Sequence, residues 1–176
     1  MTENAFLHEI RESLAPLSHT QKLLFGLAVA ERMLPAYRVF SEAFDFGNSK
    51  ILEKAIQDIK EGKISENQSA KFNQICPDMD DFSSNLLATA AIDAVAVVYE
   101  LCEMQQDQNP EHLDHIISAI FNIPYMYVDD FSETPYSDPM ILAELTLLKT
   151  WILKIQAQES IEIPENEWVK RIRLVA

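Results

Sequence analysis

Residues 20–44 read TQKLLFGLAVAERMLPAYRVFSEAF, and this stretch decides the fold. Apolar side chains recur every three or four positions. A residue advances about 100° around a helix, so the pattern predicts one long α-helix. Leu23, Leu27, Ala30 and Leu34 share a face, Glu31 falls between Leu27 and Leu24, and Arg32 falls beside Phe25, Ala28 and Val29. Neither charge has a clearly polar face to enter. A helix that is apolar nearly all round lies inside its bundle. Two charges in such a place need partners, because unpaired buried charge is very costly. Pro35 adds a kink, since proline has no N–H to offer the carbonyl of Glu31 four residues earlier.

The same punctuation continues on both sides. A first helix is predicted from about Asn4 to Leu14, with Phe6, Leu7, Ile10 and Leu14 as its stripe and Pro16 as its end. Ser18 is placed to cap the long helix, and Asn48 to cap a third helix that stops at Gly62. Ser65-Glu66-Asn67-Gln68 reads as a capping box opening a fourth, short helix closed by Pro77. A fifth helix, from about Phe82 to Asp107, is the most apolar, with Thr89, Asp93 and Glu100 in one narrow polar arc. Asn109-Pro110 opens a sixth helix that Pro124 is expected to break. Residues Tyr125 to Tyr136 read as a short helix or a loop. Asp138-Pro139 opens a seventh helix, with Ile141, Leu145, Leu148, Ile152 and Ile155 inward. The tail from Ile161 to Ala176 reads as a terminal helix or a partly extended arm. Strict alternation over a strand's length is absent. The expectation is an all-α fold, a single-domain bundle of about seven helices spanning residues 1–176 with a kinked central helix.

Composition narrows the function. The chain has 176 residues, with 28 acids against 14 bases and a net charge of −14. Nucleic-acid binders need clustered Lys and Arg to displace counterions, and only Lys170, Arg171 and Arg173 are locally basic. Neither nucleic acid nor an acidic membrane surface is expected as a partner. Simple solubility accounts for the charge, and a basic partner protein also fits it. Cys76 and Cys102 lack metal-type spacing and read as free thiols of a reducing compartment. The sequence Met1-Thr2-Glu3-Asn4 lacks a signal-peptide pattern, so a cytoplasmic location is expected. The most apolar segment, Leu86 to Cys102, falls short of the roughly 20 apolar residues of a membrane span. Three glycines leave no material for a phosphate-cradling loop.

Chemistry has few places to sit. No Glu-x-x-His motif of the di-metal bundles occurs: the residues three before the four histidines are Ala5, Pro16, Asn109 and His112. His112 and His115 could share a metal with Glu111 or Asp114, but such a pair at a helix start reads first as a solvated face. No local nucleophile motif stands out. Neither a cofactor nor a catalytic residue is assigned. The one candidate polar cluster is Glu31, Arg32, Tyr37 and Asp93, in which buried Arg32 is expected to pair with Asp93 first and Glu31 second. As a structural feature it is a buried ion-pair network holding a kinked helix; as a functional one it is a polar pocket.

The order of several motifs resembles a known family. Glu31-Arg32-Met33, Pro35, Tyr37 and Phe40, then Phe46-Gly47, look like the signature of the YjaG-like bacterial family, domain of unknown function 416. Asp80-Asp81-Phe82, Ala91-Ile92-Asp93-Ala94 and Asp138-Pro139 follow in the family's order, over about residues 20 to 155. The resemblance implies an all-α cytosolic bacterial protein and carries no activity with it. The function expected is non-catalytic protein binding or self-association, with a second copy or a basic protein as partner. The alternative is a small-molecule binder or enzyme with a pocket around Glu31, Arg32, Tyr37 and Asp93.

Overall fold

The long helix predicted from residues 20–44 forms as α2, His19–Phe44, and runs unbroken through Pro35. In the computed structural model, residues 3–63, 68–82, 85–129, 137–165 and 168–170 are described. A full capping box starts α2: Gln21 N–H donates to Ser18 Oγ, and Ser18 N–H donates to Gln21 Oε1. Around it are α1 (Glu3–Leu14), α3 (Ser49–Lys60), α4 (Gln68–Ile75), α5 (Leu86–Asp107), α6 (His112–Asp129) and α7 (Pro139–Gln156). No strand occurs among the described residues.

The centre of the bundle is α2 against α5, with α6 packed on α5, α3 on α2, and α1 on α7. Small residues bring the central pair together. A Cβ at Gly26 would run into Leu101 Cδ2, and Ala88, Ala90, Ala91 and Ala94 of α5 are fully buried. One hydrophobic cluster draws on each of α1 to α7, from Leu7 and Ile10 of α1 to Trp151 and Ile152 of α7. Each large apolar side chain so buried contributes roughly 1.5–3 kcal/mol against exposure. The α7 stripe predicted from sequence, Ile141, Leu145, Leu148, Ile152 and Ile155, is buried throughout. In α1, Leu7, Ile10 and Leu14 are buried as expected; the Phe6 side chain lies outside the described residues.

Several ends fall where the caps predicted. Asn48 accepts from Lys50 N–H at the start of α3. Past its end, Gly62 takes φ 68°, its N–H donates to the Ile59 carbonyl, and Lys63 N–H donates to that of Asp58. That pair of bonds is a Schellman motif, which needs a left-handed residue at this position. Asp138 caps α7 through Met140 N–H. The capping box proposed at Ser65 lies outside the described residues.

Three boundaries differ. α5 begins at Leu86, not Phe82, because Asn85 Oδ1 takes up the N–H groups of Leu87 and Ala88. Phe82 instead packs with Phe40, Phe44 and Phe46 in an edge-on aromatic cluster. α6 begins at His112, two residues after Pro110, and continues through Pro124 to Asp129. Proline's φ is itself helical, so only one bond is lost. The apolar face continues across the gap: Phe121 stacks on Tyr125 at 5.8 Å, and Val128 is buried one turn on. After α7 the chain is irregular over 158–165 and helical again over 168–170. Trp151 Nε1 donates to the Glu162 carbonyl at 3.1 Å and fastens this arm to the bundle.

Candidate functional site

The four residues of the predicted polar cluster do not converge. Arg32 is buried, as its place among Phe25, Ala28 and Val29 required, but its carboxylate partner is Glu144 of α7. Arg32 Nε donates to Glu144 Oε1 at 2.8 Å, Nη2 reaches the same oxygen, and Nη1 donates to the Pro164 carbonyl at 2.9 Å. Trp168 Nε1 donates to Glu144 Oε1 at 3.1 Å. The planar guanidinium fork suits this two-bond docking. A central helix, the last helix and the arm are therefore joined at one buried charge pair.

Asp93, expected to hold Arg32, faces α6 instead, where Asn122 Nδ2 donates to its Oδ2 at 3.1 Å. Burial pushes its pKa up to about 7, against the pull of the Asn122 hydrogen bond. Glu31, the second candidate, points away from Arg32 and pairs with Lys60 at the end of α3. Neighbours on a helix diverge by about 100°, which separates the two adjacent charges. Tyr37 donates its hydroxyl to the Ile75 carbonyl at 2.8 Å, and burial raises its pKa to about 12.

Glu144 was not singled out in the sequence. A signal existed: it interrupts the inward stripe of α7 between Ile141 and Leu148, as Arg32 does in α2. Pairing the two odd charges of different apolar helices would have included it.

Two clefts open along α2, and one of them borders the ion pair. The larger, about 790 Å³, lies between α2, the end of α7 and the arm, with Leu24, Leu27, Ile155, Ile161 and Ile163 along it. Glu31, Lys60 and Glu159 stand among its polar residues. Leu24 is 49% exposed there, unusual for a leucine on a central helix. The smaller, about 590 Å³, is lined by Arg32, Glu144, Trp168, Pro139, Met140 and Leu147 among others. Glu31 thus borders one cleft and Arg32 the other, and Tyr37 and Asp93 border neither. The single pocket expected around all four is replaced by separate sites.

The histidine pair lies at the α5–α6 junction. His112 Nδ1 is 2.5 Å from Glu100 and its Nε2 3.0 Å from Asp107, while His115 Nδ1 is 3.0 Å from Glu100. Burial works against the imidazolium, but its hydrogen bonds to Asp107 and Glu100 outweigh it and raise the His112 pKa. Each His112 nitrogen is thus committed to a different carboxylate. Among the described residues, no group of three or more His, Cys, Asp or Glu is arranged to hold a metal ion. Nor is any helix among them long and apolar enough to cross a membrane.

These features define an all-α bundle in which buried Arg32 is paired with Glu144 and the larger cleft is lined in good part by leucine and isoleucine. The model of the family described as "Protein of unknown function (DUF416)" matches residues 9–173, and the chain belongs to that family. A crystal structure of a DUF416 family protein from Shewanella baltica OS155 has the same fold. Its TM-score is 0.75 at 22% identity, over 93% of this chain and 91% of that one. No curated protein matches the chain. The resemblance carried by Glu31-Arg32-Met33 and the motifs after it is thereby shown.

Proposed function

We propose that this chain is a non-catalytic, cytoplasmic binding domain whose larger cleft takes an amphipathic basic segment of a partner protein. The observation that carries this reading is the composition of that cleft. Leu24, Leu27, Ile155, Ile161 and Ile163 offer apolar surface beside Glu31 and Glu159, on a chain of net charge −14. A helix presenting leucines on one side and lysines on the other matches both properties. Lys60 neutralises one of the two carboxylates and leaves the rim acidic. A second reading, a small-molecule site, is favoured by the volume of about 790 Å³, inside the roughly 300–1,000 Å³ range of such pockets.

The probe is a synthetic helical peptide of leucines at i, i+3, i+4 and i+7 with lysines elsewhere, titrated by fluorescence anisotropy. Binding should weaken with salt, and Leu24→Ser should weaken it about tenfold, equivalent to about 1.4 kcal/mol. Equal binding of the same peptide with glutamates for lysines, or indifference to Leu24→Ser, would sink the proposal.

A further inference from the structure

We infer that the outward face of α7 is the contact surface between two copies of this chain, packed antiparallel about a two-fold axis. Leu142, Thr146, Thr150 and Leu153 are exposed, Leu153 at 65% and Leu142 at 40%. With Ala143 they fall within an arc of about 100° on the helix. No acid lies in that arc, although the chain carries 28. Lys149 and Lys154 border it on either side.

The two threonines do not make the face polar. Thr146 Oγ1 donates to the Leu142 carbonyl at 2.8 Å, and Thr150 Oγ1 donates to the Thr146 carbonyl at 2.7 Å. Both hydroxyl protons are spent inside the helix, which leaves the methyl groups for a neighbour. The stripe itself forms a shallow, open hollow along Leu142, Ala143, Thr146, Leu147 and Thr150.

Charge selects the occupant. Two copies at −14 repel one another over most of their surface, and this acid-free helix face relieves that repulsion. The pattern is also its own complement. Turning α7 end for end about its middle puts Leu153 of one copy against Leu142 of the other and Thr150 near Thr146, as a two-fold contact requires. Leu153 then packs on the shallow hollow beside Ala143. A helix of this length is about 27 Å long, so the face is smaller than the roughly 800 Å² per partner of a standard interface. The dimer is therefore a weak one, which forms as concentration rises.

Sedimentation equilibrium from micromolar to millimolar protein tests this. The expected result is a monomer–dimer equilibrium that tightens with added salt, as repulsion is screened. Salt should loosen the peptide complex proposed above, so the two readings fail separately. Leu153→Glu and Leu142→Lys should each weaken the dimer at least tenfold without changing the circular dichroism spectrum, since both sites are exposed. Mixing the two variants should restore association, because antiparallel packing sets the new carboxylate against the new ammonium. A monomer at every concentration overturns the inference, as does a dimer indifferent to Leu153→Glu. Failure of the mixture to re-associate overturns the antiparallel arrangement.

Discussion

Arg32 of α2 and Glu144 of α7, 112 residues apart in the chain, form a buried two-bond charge pair that Trp168 completes from the arm. Burial of both members makes breaking the pair far costlier than replacing it. Arg32→Ala should destabilise by about 3–5 kcal/mol, because it strands a carboxylate, and Glu144→Ala should cost about as much. The double variant should cost clearly less than the sum, whereas Arg32→Ala with Asp93→Ala should be additive within a few tenths of a kcal/mol. Urea unfolding of the set decides. Additivity of Arg32 with Glu144 would show that the pair carries no coupling.

Asp93 predicts a pH dependence of opposite sign to the usual carboxylate. Its folded pKa is raised from 3.8 to about 7. The fold therefore binds this proton more tightly than the unfolded chain does. The contribution is fully present below the unfolded pKa and is lost as pH rises through the folded one. Asp93→Asn keeps an oxygen to accept from Asn122 and removes the titration. The variant should gain on the parent by about 3–4 kcal/mol between pH 4 and pH 8. Thermal unfolding at several pH values measures the difference. A constant gap between the two proteins would rule the shift out.

Much of the fold was legible because helices announce themselves locally. Ser18, Asn48, Gly62 and Asp138 each act through bonds within a few residues, and the apolar stripes name the inward faces of α1 and α7. Where the reading missed, a competing local feature had the stronger geometry. Asn85 captured two N–H groups and moved the start of α5 away from Phe82. The apolar face across Phe121, Tyr125 and Val128 outweighed the bond lost at Pro124. The candidate site was legible only in part. Periodicity placed Arg32 inside and demanded a carboxylate, but periodicity of one helix says nothing of which other helix lies opposite. That choice between Asp93 and Glu144 is set by how the helices assemble, and α7 lies opposite Arg32.

His112 predicts a second pH dependence. Both ring nitrogens face carboxylates, Glu100 and Asp107 of α5, and His115 shares Glu100. Donating to both at once requires the imidazolium. The raised folded pKa contributes stability that is fully present below the unfolded value and is lost as pH rises through the folded one. His112→Gln should therefore be most damaging below about pH 6, the ordinary histidine range being near 6.5. Proton NMR titration should find His112 deprotonating above that value. A midpoint at or below it would contradict the two-carboxylate geometry.

Gly47 and Gly62 have nearly the same backbone, φ 69° and 68°, and opposite surroundings. A left-handed backbone costs a non-glycine residue about 1–2 kcal/mol. At Gly62 nothing lies within 4 Å of an added Cβ, so Gly62→Ala should cost only that. At Gly47 the added Cβ would meet the Tyr37 hydroxyl, with the Ile75 carbonyl oxygen 3.4 Å away. That hydroxyl cannot swing aside freely, because it is buried and donates to the same Ile75 carbonyl. Displacing it leaves a buried acceptor unsatisfied, which adds about 1–3 kcal/mol. Gly47→Ala should thus cost about 2–5 kcal/mol in urea unfolding, well beyond Gly62→Ala. Tyr37→Phe removes the obstructing oxygen, so Tyr37→Phe with Gly47→Ala should cost less than the two single changes added together. Equal costs at the two glycines, or strict additivity with Tyr37→Phe, would mean that the turn after α2 is held by backbone conformation alone.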